Sequence, residues 1–338
     1  MTQNRHFNVV RTWRYLLVLG IALCVLPLVV LMPNLTSSTE LVRIRNALLL
    51  SGVGDTKFDW TPASVPKDFF LENGPLDPFF IETSSKLGLP RLGSDWEKVM
   101  AISQHLLSHP NLAGLPIQSD LRNTYRRIVA DGDGYCGDFT RVFIALALVE
   151  GIPVRSWSFS LDGFGGHGHI WPEIWNRQAG KWQLVDIYNN YYFHLADGVP
   201  LSAMEFRGLM LNPTEKVLHS PLNEKARPGY QIDDKLWAWY RSGIHGWYMV
   251  WGNNVFTYDA AILKRHLGSI SRSLAQLDAI LQGAQPKLKL LADEKNANAI
   301  EKIWRFRSQL QASAIASMAG LLIVLVAGYK LRLAKLKA

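Results

Sequence analysis

Cys136 is the residue of this 338-residue chain best suited to covalent chemistry, because it falls in the first turn of a predicted helix. A thiol is a useful nucleophile only as the thiolate, and the partial positive charge at a helix N-terminus favours that form. The free N–H groups there are also suited to receive a developing oxyanion. Asp131, Asp133 and Asp138 lie close in the sequence and disfavour a thiolate unless they cap the helix facing away. A histidine must therefore do most of the activation.

The helix that carries Cys136 is predicted by its apolar periodicity. Apolar residues recur at i, i+3, i+4, i+7 and i+10 from Phe139 to Val149, and Gly151 with Pro153 ends the pattern. Three later segments are rich in aromatic and β-branched residues and are predicted strands: 152–161, 167–175 and 181–193.

His169 and Asp186 fall on the second and third of these strands. If 167–175 and 181–188 form an antiparallel hairpin through the four-residue loop 177–180, both side chains lie on one face, either opposite or diagonal. Such neighbours are about 4.5–8 Å apart at Cβ, which allows an imidazole–carboxylate hydrogen bond that fixes the tautomer for base catalysis. A loop of three or five residues would place them on opposite faces.

These three residues and the segments around them resemble the core of the transglutaminase-like superfamily. The resemblance is carried by GYCGDFTRVFIALALVEGIPVRSWSF (134–159), GHIWPEIW (168–175) and KWQLVDIYNNYYF (181–193). It implies an α+β, papain-like core in which an antiparallel sheet packs on the cysteine-bearing helix. It also implies Cys136 as the nucleophile, His169 as the base and Asp186 as the carboxylate that orients the base.

Each of these residues also has a purely structural interpretation. A lone buried cysteine is usually a small core residue, a strand histidine is often a satisfied structural one, and an aspartate after a strand often caps a turn. Their order on the expected elements favours the catalytic interpretation. A zinc site formed by His167 with His169, Cys136 and Asp186 is the weaker alternative, since metal ligands usually form clearer clusters.

The functional hypothesis is a thiol enzyme that forms an acyl-enzyme at Cys136 and needs no cofactor or metal. The fold accommodates hydrolysis as well as transfer of an amide bond, so both directions stay open. Substrates are expected among envelope proteins, peptides and polysaccharides or other glycoconjugates. The alternative is a non-catalytic scaffold that binds a peptide or polysaccharide and recruits a membrane-protein partner through a helical hairpin.

The positive charge of the chain is concentrated in its two tails. The formal net charge is +8, and seven positive charges lie without any acid in 1–14 and 330–338. The remainder of the chain is therefore nearly neutral, which argues against nucleic-acid binding.

Each basic tail adjoins an uncharged apolar run of 18 residues, 15–32 and 312–329, at the short end of what spans a bilayer. Because Lys and Arg stay on the cytoplasmic side, both termini are expected in the cytoplasm, with the main domain periplasmic or otherwise extracytoplasmic. The protein is expected to be a two-pass protein of the inner (plasma) membrane. A cleaved signal peptide is disfavoured because no small-residue cleavage site follows the first run.

The predicted organisation divides the chain between the spans into three parts. A loop-rich lead-in covers 33–93, a transglutaminase-like domain covers 94–258 and a helical hairpin covers 259–311. The hairpin is predicted from a leucine seam that ends at Leu281 and from Pro286, which suits the first turn of a second helix continuing into the membrane.

Two further features bear on the site. Cys24 lies within the first span, so Cys136 is the only thiol expected outside the membrane and has no disulfide partner there. Eight aromatic residues between Trp237 and Tyr258 favour core packing, with sugar stacking and seating at the membrane interface as alternatives.

Overall fold

The computed structural model describes residues 2–52, 57–109, 114–117, 119–224, 227–261 and 272–336. These residues form two compact units. The helical unit comprises Met1–Leu48 and Ala299–Ala338, and the mixed unit comprises Leu49–Asn298.

The helical unit contains two long apolar helices, α1 (Thr2–Leu35) and the last helix of the chain, Ala297–Leu336. Both are long and apolar enough to cross a membrane, and their most apolar windows are only 6% and 11% buried. That exposure is expected of side chains that face lipid and not of a helix in a soluble core. The predicted runs 15–32 and 312–329 lie within these helices, which are compatible with a two-pass membrane protein.

The two long helices approach closely at a pair of glycines within the helical unit. A Cβ atom added to Gly20 would lie 2.9 Å from the Gly320 carbonyl oxygen, and one added to Gly320 would lie 2.7 Å from the Gly20 oxygen. The Cys24 thiol also lies 3.5 Å from the carbonyl oxygen of Ser317. Small residues of this kind allow helix backbones to meet in a membrane.

The mixed unit is built from short helices around one antiparallel sheet, which confirms the predicted α+β class. Helices α2 (Ser38–Leu49) and α11 (Ala297–Leu336) belong almost wholly to the helical unit. The described helices of the mixed unit are α3 (Pro78–Lys86), α4 (Asp95–Leu106), α5 (Leu121–Asp131), α6 (Cys136–Val149), α7 (Ala203–Leu211), α8 (Asp233–Gly243), α9 (Val255–Ala260) and α10 (Arg272–Leu281). The strands are β1 (Val154–Ser160), β2 (Gly168–Asn176), β3 (Lys181–Asp186), β4 (Tyr191–His194), β5 (Leu218–Pro221), β6 (Trp247–Trp251) and β7 (Lys287–Leu290).

The seven strands in the described part of the chain are ordered β5-β4-β3-β2-β1-β6-β7, and every neighbouring pair is antiparallel. Because side chains alternate along a strand, the two faces of the sheet carry different residues. Val154 and Ile174 pair on the face that packs against α4, α5 and α6. Trp157 and Trp171 pair on the opposite face, which packs against α7, α8 and the aromatic side chains of Phe58, Trp60 and Phe69.

The helical hairpin predicted for 259–311 is wrong in its second half. Residues 262–271 lie outside the described part of the chain, α10 follows, and Lys287–Leu290 then forms β7 where a helix starting at Pro286 was expected. The segment alternates lysine and leucine with the period of a strand, and Leu288 and Leu290 are buried while it pairs with β6. Helix α11 begins only at Ala297.

The lead-in predicted for 33–93 contains more helix than expected. Helices α2 and α3 both lie in it, and the mixed unit runs from Leu49 to Asn298, wider at both ends than the predicted domain of 94–258.

Candidate active site

Cys136 occupies the first position of α6 and is half-buried, so its sulfur is not sealed in the core. The helix is tied to the strand that carries His169, because the Thr140 hydroxyl donates a 3.1 Å hydrogen bond to the carbonyl oxygen of Ile170. The first turn of α6 and the start of β2 are therefore held together one turn from the thiol.

Two of the three acidic residues near Cys136 are held by other groups of the chain. Asp138 accepts the backbone N–H groups of Tyr135 and Ile117 at 2.9 and 3.0 Å, so it caps the helix. Asp133 pairs with Arg127, which lowers the pKa of that carboxyl. Both carboxylates are therefore engaged with other groups of the chain.

His169 and Asp186 share one face of the sheet, as the hairpin argument predicted. The loop 177–180 has four residues, and the register pairs Asn176 with Lys181 and Glu173 with Leu184. The two side chains are diagonal neighbours in this register, and His169 Nε2 lies 2.8 Å from Asp186 Oδ2. Both residues are almost completely buried, with His169 2% and Asp186 0% exposed.

Asp186 accepts hydrogen bonds on both carboxylate oxygens. Oδ2 accepts from His169 Nε2 at 2.8 Å, Asn189 Nδ2 at 2.8 Å and the Tyr240 hydroxyl at 2.6 Å, and Oδ1 accepts the Asn189 backbone N–H at 3.0 Å. Burial disfavours the charged form, but His169 and these donors outweigh it and lower the pKa of Asp186. An ionised carboxylate only accepts hydrogen bonds, so His169 must donate from Nε2.

The environment of His169 favours the imidazolium. Burial lowers its pKa, but the charge and hydrogen bond of Asp186, with a smaller contribution from Cys136, raise the pKa to about 10. The other ring nitrogen, Nδ1, is buried and has no hydrogen-bond partner among the described residues. Because Nε2 is engaged by Asp186, Nδ1 is the ring nitrogen that this carboxylate does not hold.

Aromatic side chains enclose the imidazole. The rings of Trp171 and Trp239 each lie 5.0 Å from it, and that of Phe159 lies 5.9 Å away. Tyr188, at 6.3 Å, has its pKa raised to about 12, first by burial and then by the nearby charge of Cys136. Water is thus largely excluded from the ring, which strengthens its electrostatic interactions.

Sequence analysis did not identify Asn189, Tyr240 or Trp239 as neighbours of the site. Asn189 follows Asp186 by three residues, a spacing that suits a turn. Trp239 and Tyr240 belong to the aromatic stretch between Trp237 and Tyr258. Core packing is confirmed for the five buried members of that stretch, which are Tyr240, Trp247, Tyr248, Trp251 and Phe256.

The zinc alternative finds no support in the described part of the chain. No group of three or more His, Cys, Asp or Glu side chains there is arranged to hold a metal ion. His167 is exposed, whereas His169 is buried.

The family comparison agrees with this geometry. The sequence model of the transglutaminase-like superfamily matches residues 90–187, a segment that contains Cys136, His169 and Asp186. The resemblance inferred from the sequence is thereby confirmed, and the chain carries a transglutaminase-like domain. That superfamily generally comprises cysteine proteases and transglutaminases. No curated protein and no solved structure matches the chain.

Proposed function

We propose that this chain is a membrane-anchored extracytoplasmic enzyme that forms an acyl-enzyme at Cys136 and cleaves or transfers an amide bond. The observation that carries the proposal is the buried 2.8 Å hydrogen bond between His169 and Asp186, set beside a half-buried thiol at a helix N-terminus. A domain of this family with these residues suits cysteine-dependent amide chemistry.

The reaction proceeds in two balanced steps. The Cys136 thiolate attacks the carbonyl carbon, the C–N bond breaks, and His169 passes its Nδ1 proton to the departing amine, leaving a thioester. Water or a second amine then attacks the thioester, His169 takes up the proton, and an acid or a new amide is released. The backbone N–H groups at the N-terminus of α6 are suited to receive the oxyanion that forms in each step.

The extracytoplasmic location in this proposal is supported by the charge pattern. Basic residues at both ends of the chain favour cytoplasmic termini, which would place the domain between the long helices outside the cytoplasm. Substrates there include envelope proteins, peptides and glycoconjugates.

The thiol can be tested alone, because the chain has only two cysteines. In the full-length Cys24→Ser protein in detergent, iodoacetamide should alkylate Cys136 roughly tenfold faster at pH 7 than free cysteine, which is only a few per cent thiolate there. The Cys24→Ser/Cys136→Ala protein is the control and should take up no label. Alkylation no faster than that of free cysteine contradicts the proposal and favours the scaffold.

The pH dependence of alkylation should report the charge on His169. A positive ring beside the sulfur attracts anionic iodoacetate, so the ratio of the iodoacetate rate to the iodoacetamide rate should be high while the ring is protonated. Because the pKa of His169 is raised to about 10, the ratio should stay high at neutral pH and fall as the pH rises through about 10. A fall near pH 6.5, the ordinary range for histidine, would contradict this environment.

A further inference from the structure

Tyr240 is a buried residue that reaches the site from outside the family match. It lies on α8, 53 residues beyond the end of the matched segment 90–187, and is 1% exposed. Its hydroxyl lies 2.6 Å from Asp186 Oδ2, a shorter distance than that between His169 Nε2 and the same oxygen.

The direction of this hydrogen bond follows from the protonation states of the two groups. The pKa of Asp186 is lowered, so the carboxylate accepts. Burial, followed by the charge of Asp186, raises the pKa of Tyr240 well above its ordinary value, so the hydroxyl keeps its proton and donates. Hydrogen bonds from a neutral donor to a charged acceptor are short and stronger than neutral pairs.

The ring of Tyr240 is fixed by the packing around it. It lies 5.2 Å from the ring of Trp171, 5.6 Å from that of Phe193 and 5.8 Å from that of Phe206. A hydroxyl on a ring held this way has little freedom to turn elsewhere, so its position is set before substrate binds.

Asn189 completes the same network. Its Nδ2 donates to Asp186 Oδ2 at 2.8 Å and also lies 3.3 Å from the Tyr240 hydroxyl oxygen, and its Oδ1 accepts the backbone N–H of Tyr230 at 3.0 Å. A Cβ atom added to Gly229 would collide with the Asn189 side-chain oxygen, so that approach requires glycine. The amide is therefore oriented by the backbone and cannot rotate freely.

We propose that Tyr240 is a positioning residue of the thiol site: with Asn189, it holds the Asp186 carboxylate charged and turned towards His169. The inference rests on the proposed function, because it assigns Tyr240 a role in that chemistry. Tyr240 acts through Asp186 and touches neither the thiol nor the substrate.

The titratable and charged groups that act on this carboxylate, directly or through Tyr240, come from two elements, one turn and the segment before α8. His169 faces it from β2, Tyr240 from α8 and Tyr188 from the turn after β3, and Arg227 acts on the Tyr240 hydroxyl. Removing the Tyr240 donor leaves Asp186 with fewer groups that favour its charged form, so the carboxylate should take up a proton at a higher pH.

The first test uses p-nitrophenyl acetate as an acyl donor for the full-length Cys24→Ser protein in detergent. Attack by Cys136 forms the acetyl-thioester and releases p-nitrophenolate, and water then regenerates the thiol. Tyr240→Phe should lower kcat about tenfold, the scale of a lost hydrogen bond to a charged group, with KM within about twofold because Tyr240 is buried away from the substrate. Tyr248→Phe, the same substitution at another buried tyrosine, is the matched control and should leave both values unchanged.

The second test separates a positioning role from a structural one. The lower pH limit of iodoacetamide alkylation should move to higher pH in Tyr240→Phe. In an Asp186→Asn chain, which has no carboxylate to titrate at that position, Tyr240→Phe should leave this limit unchanged. An unchanged kcat and pH profile in Tyr240→Phe, or an equal effect of that substitution in both backgrounds, overturns the proposal.

Two controls keep the outcomes distinct. Thermal unfolding of each variant shows whether it folds, and if Tyr240→Phe does not fold, Asn189→Ala removes the other side-chain donor and must move the same pH limit upward. If the parent protein shows neither p-nitrophenolate release nor fast alkylation, the proposed function is overturned together with this inference. If the parent is active and Tyr240→Phe changes neither kcat nor the pH limit of alkylation, this inference alone is overturned.

Discussion

Asp186→Asn is expected to lower the turnover of p-nitrophenyl acetate by about 10³–10⁴-fold, the loss typical when the carboxylate behind a catalytic histidine becomes an amide. The charge that raises the pKa of His169 disappears, so the ring holds its proton less firmly and stabilises the thiolate less well. The measurement is kcat at neutral pH in the full-length Cys24→Ser protein.

The hydrogen-bond pattern shows why an amide fits poorly at this position. Three donors converge on Asp186 Oδ2, so the amide oxygen must take that place, and the new NH₂ group then faces the Asn189 backbone N–H that Oδ1 now accepts. Two hydrogen-bond donors that face each other in a buried site cannot bond to each other, so both are left unsatisfied. Misplacement of His169 therefore adds to the loss of charge.

Asp95→Asn is the matched control for this prediction. Asp95 is also a buried carboxylate within the matched segment, but it accepts from Arg177 and does not contact His169. Its substitution should cost stability and leave the turnover per folded molecule unchanged. Equal losses in the two variants would show that Asp186 matters only for folding.

The relation of His169 to Asp186 could be predicted because it depends on a local count. An antiparallel hairpin with a loop of even length places residues of this spacing on the same face, whatever the rest of the chain does. The apolar period from Phe139 to Val149 likewise predicts α6 with Cys136 in its first turn, and the helix begins at Cys136.

The contribution of Tyr240 could not be predicted because it depends on tertiary packing. Its hydroxyl meets a carboxylate 54 residues earlier in the chain, and nothing in an aromatic-rich stretch marks which ring will carry a hydrogen bond. Strand β7 is different, since Lys287–Leu290 alternates lysine and leucine in the sequence, whereas the prediction placed a helix there because Pro286 suits a first turn.

A buried ion pair lies on the same face of the sheet as His169. Arg155 on β1 and Glu173 on β2 are directly paired in register, and the Arg155 Nε to Glu173 Oε2 distance is 2.6 Å. Glu173 also accepts the Trp157 indole N–H at 2.8 Å and the Ala203 backbone N–H at 2.7 Å. The Arg155 guanidinium lies over the ring of Trp182 at 4.0 Å, so both charges are enclosed and satisfied.

Glu173→Gln should therefore destabilise the mixed unit severely. Removing one partner of a buried pair typically costs about 3–5 kcal/mol, because the remaining charge stays desolvated without a counter-ion. Burial lowers the pKa of Arg155, and Glu173 is the main group that opposes this effect. For a unit of this size the unfolding midpoint should fall by roughly 10 °C, measured by tryptophan fluorescence of the full chain in detergent.

Glu82→Gln removes one partner of an ion pair that lies on the surface. Glu82 and Lys86 are 66% and 73% exposed, so losing this pair should not move the midpoint measurably. If Glu173→Gln also leaves the unfolding midpoint unchanged, the Arg155 charge must be stabilised by water or by another carboxylate. A large fall confined to Glu173→Gln would instead show that this pair stabilises the sheet face on which His169 and Asp186 meet.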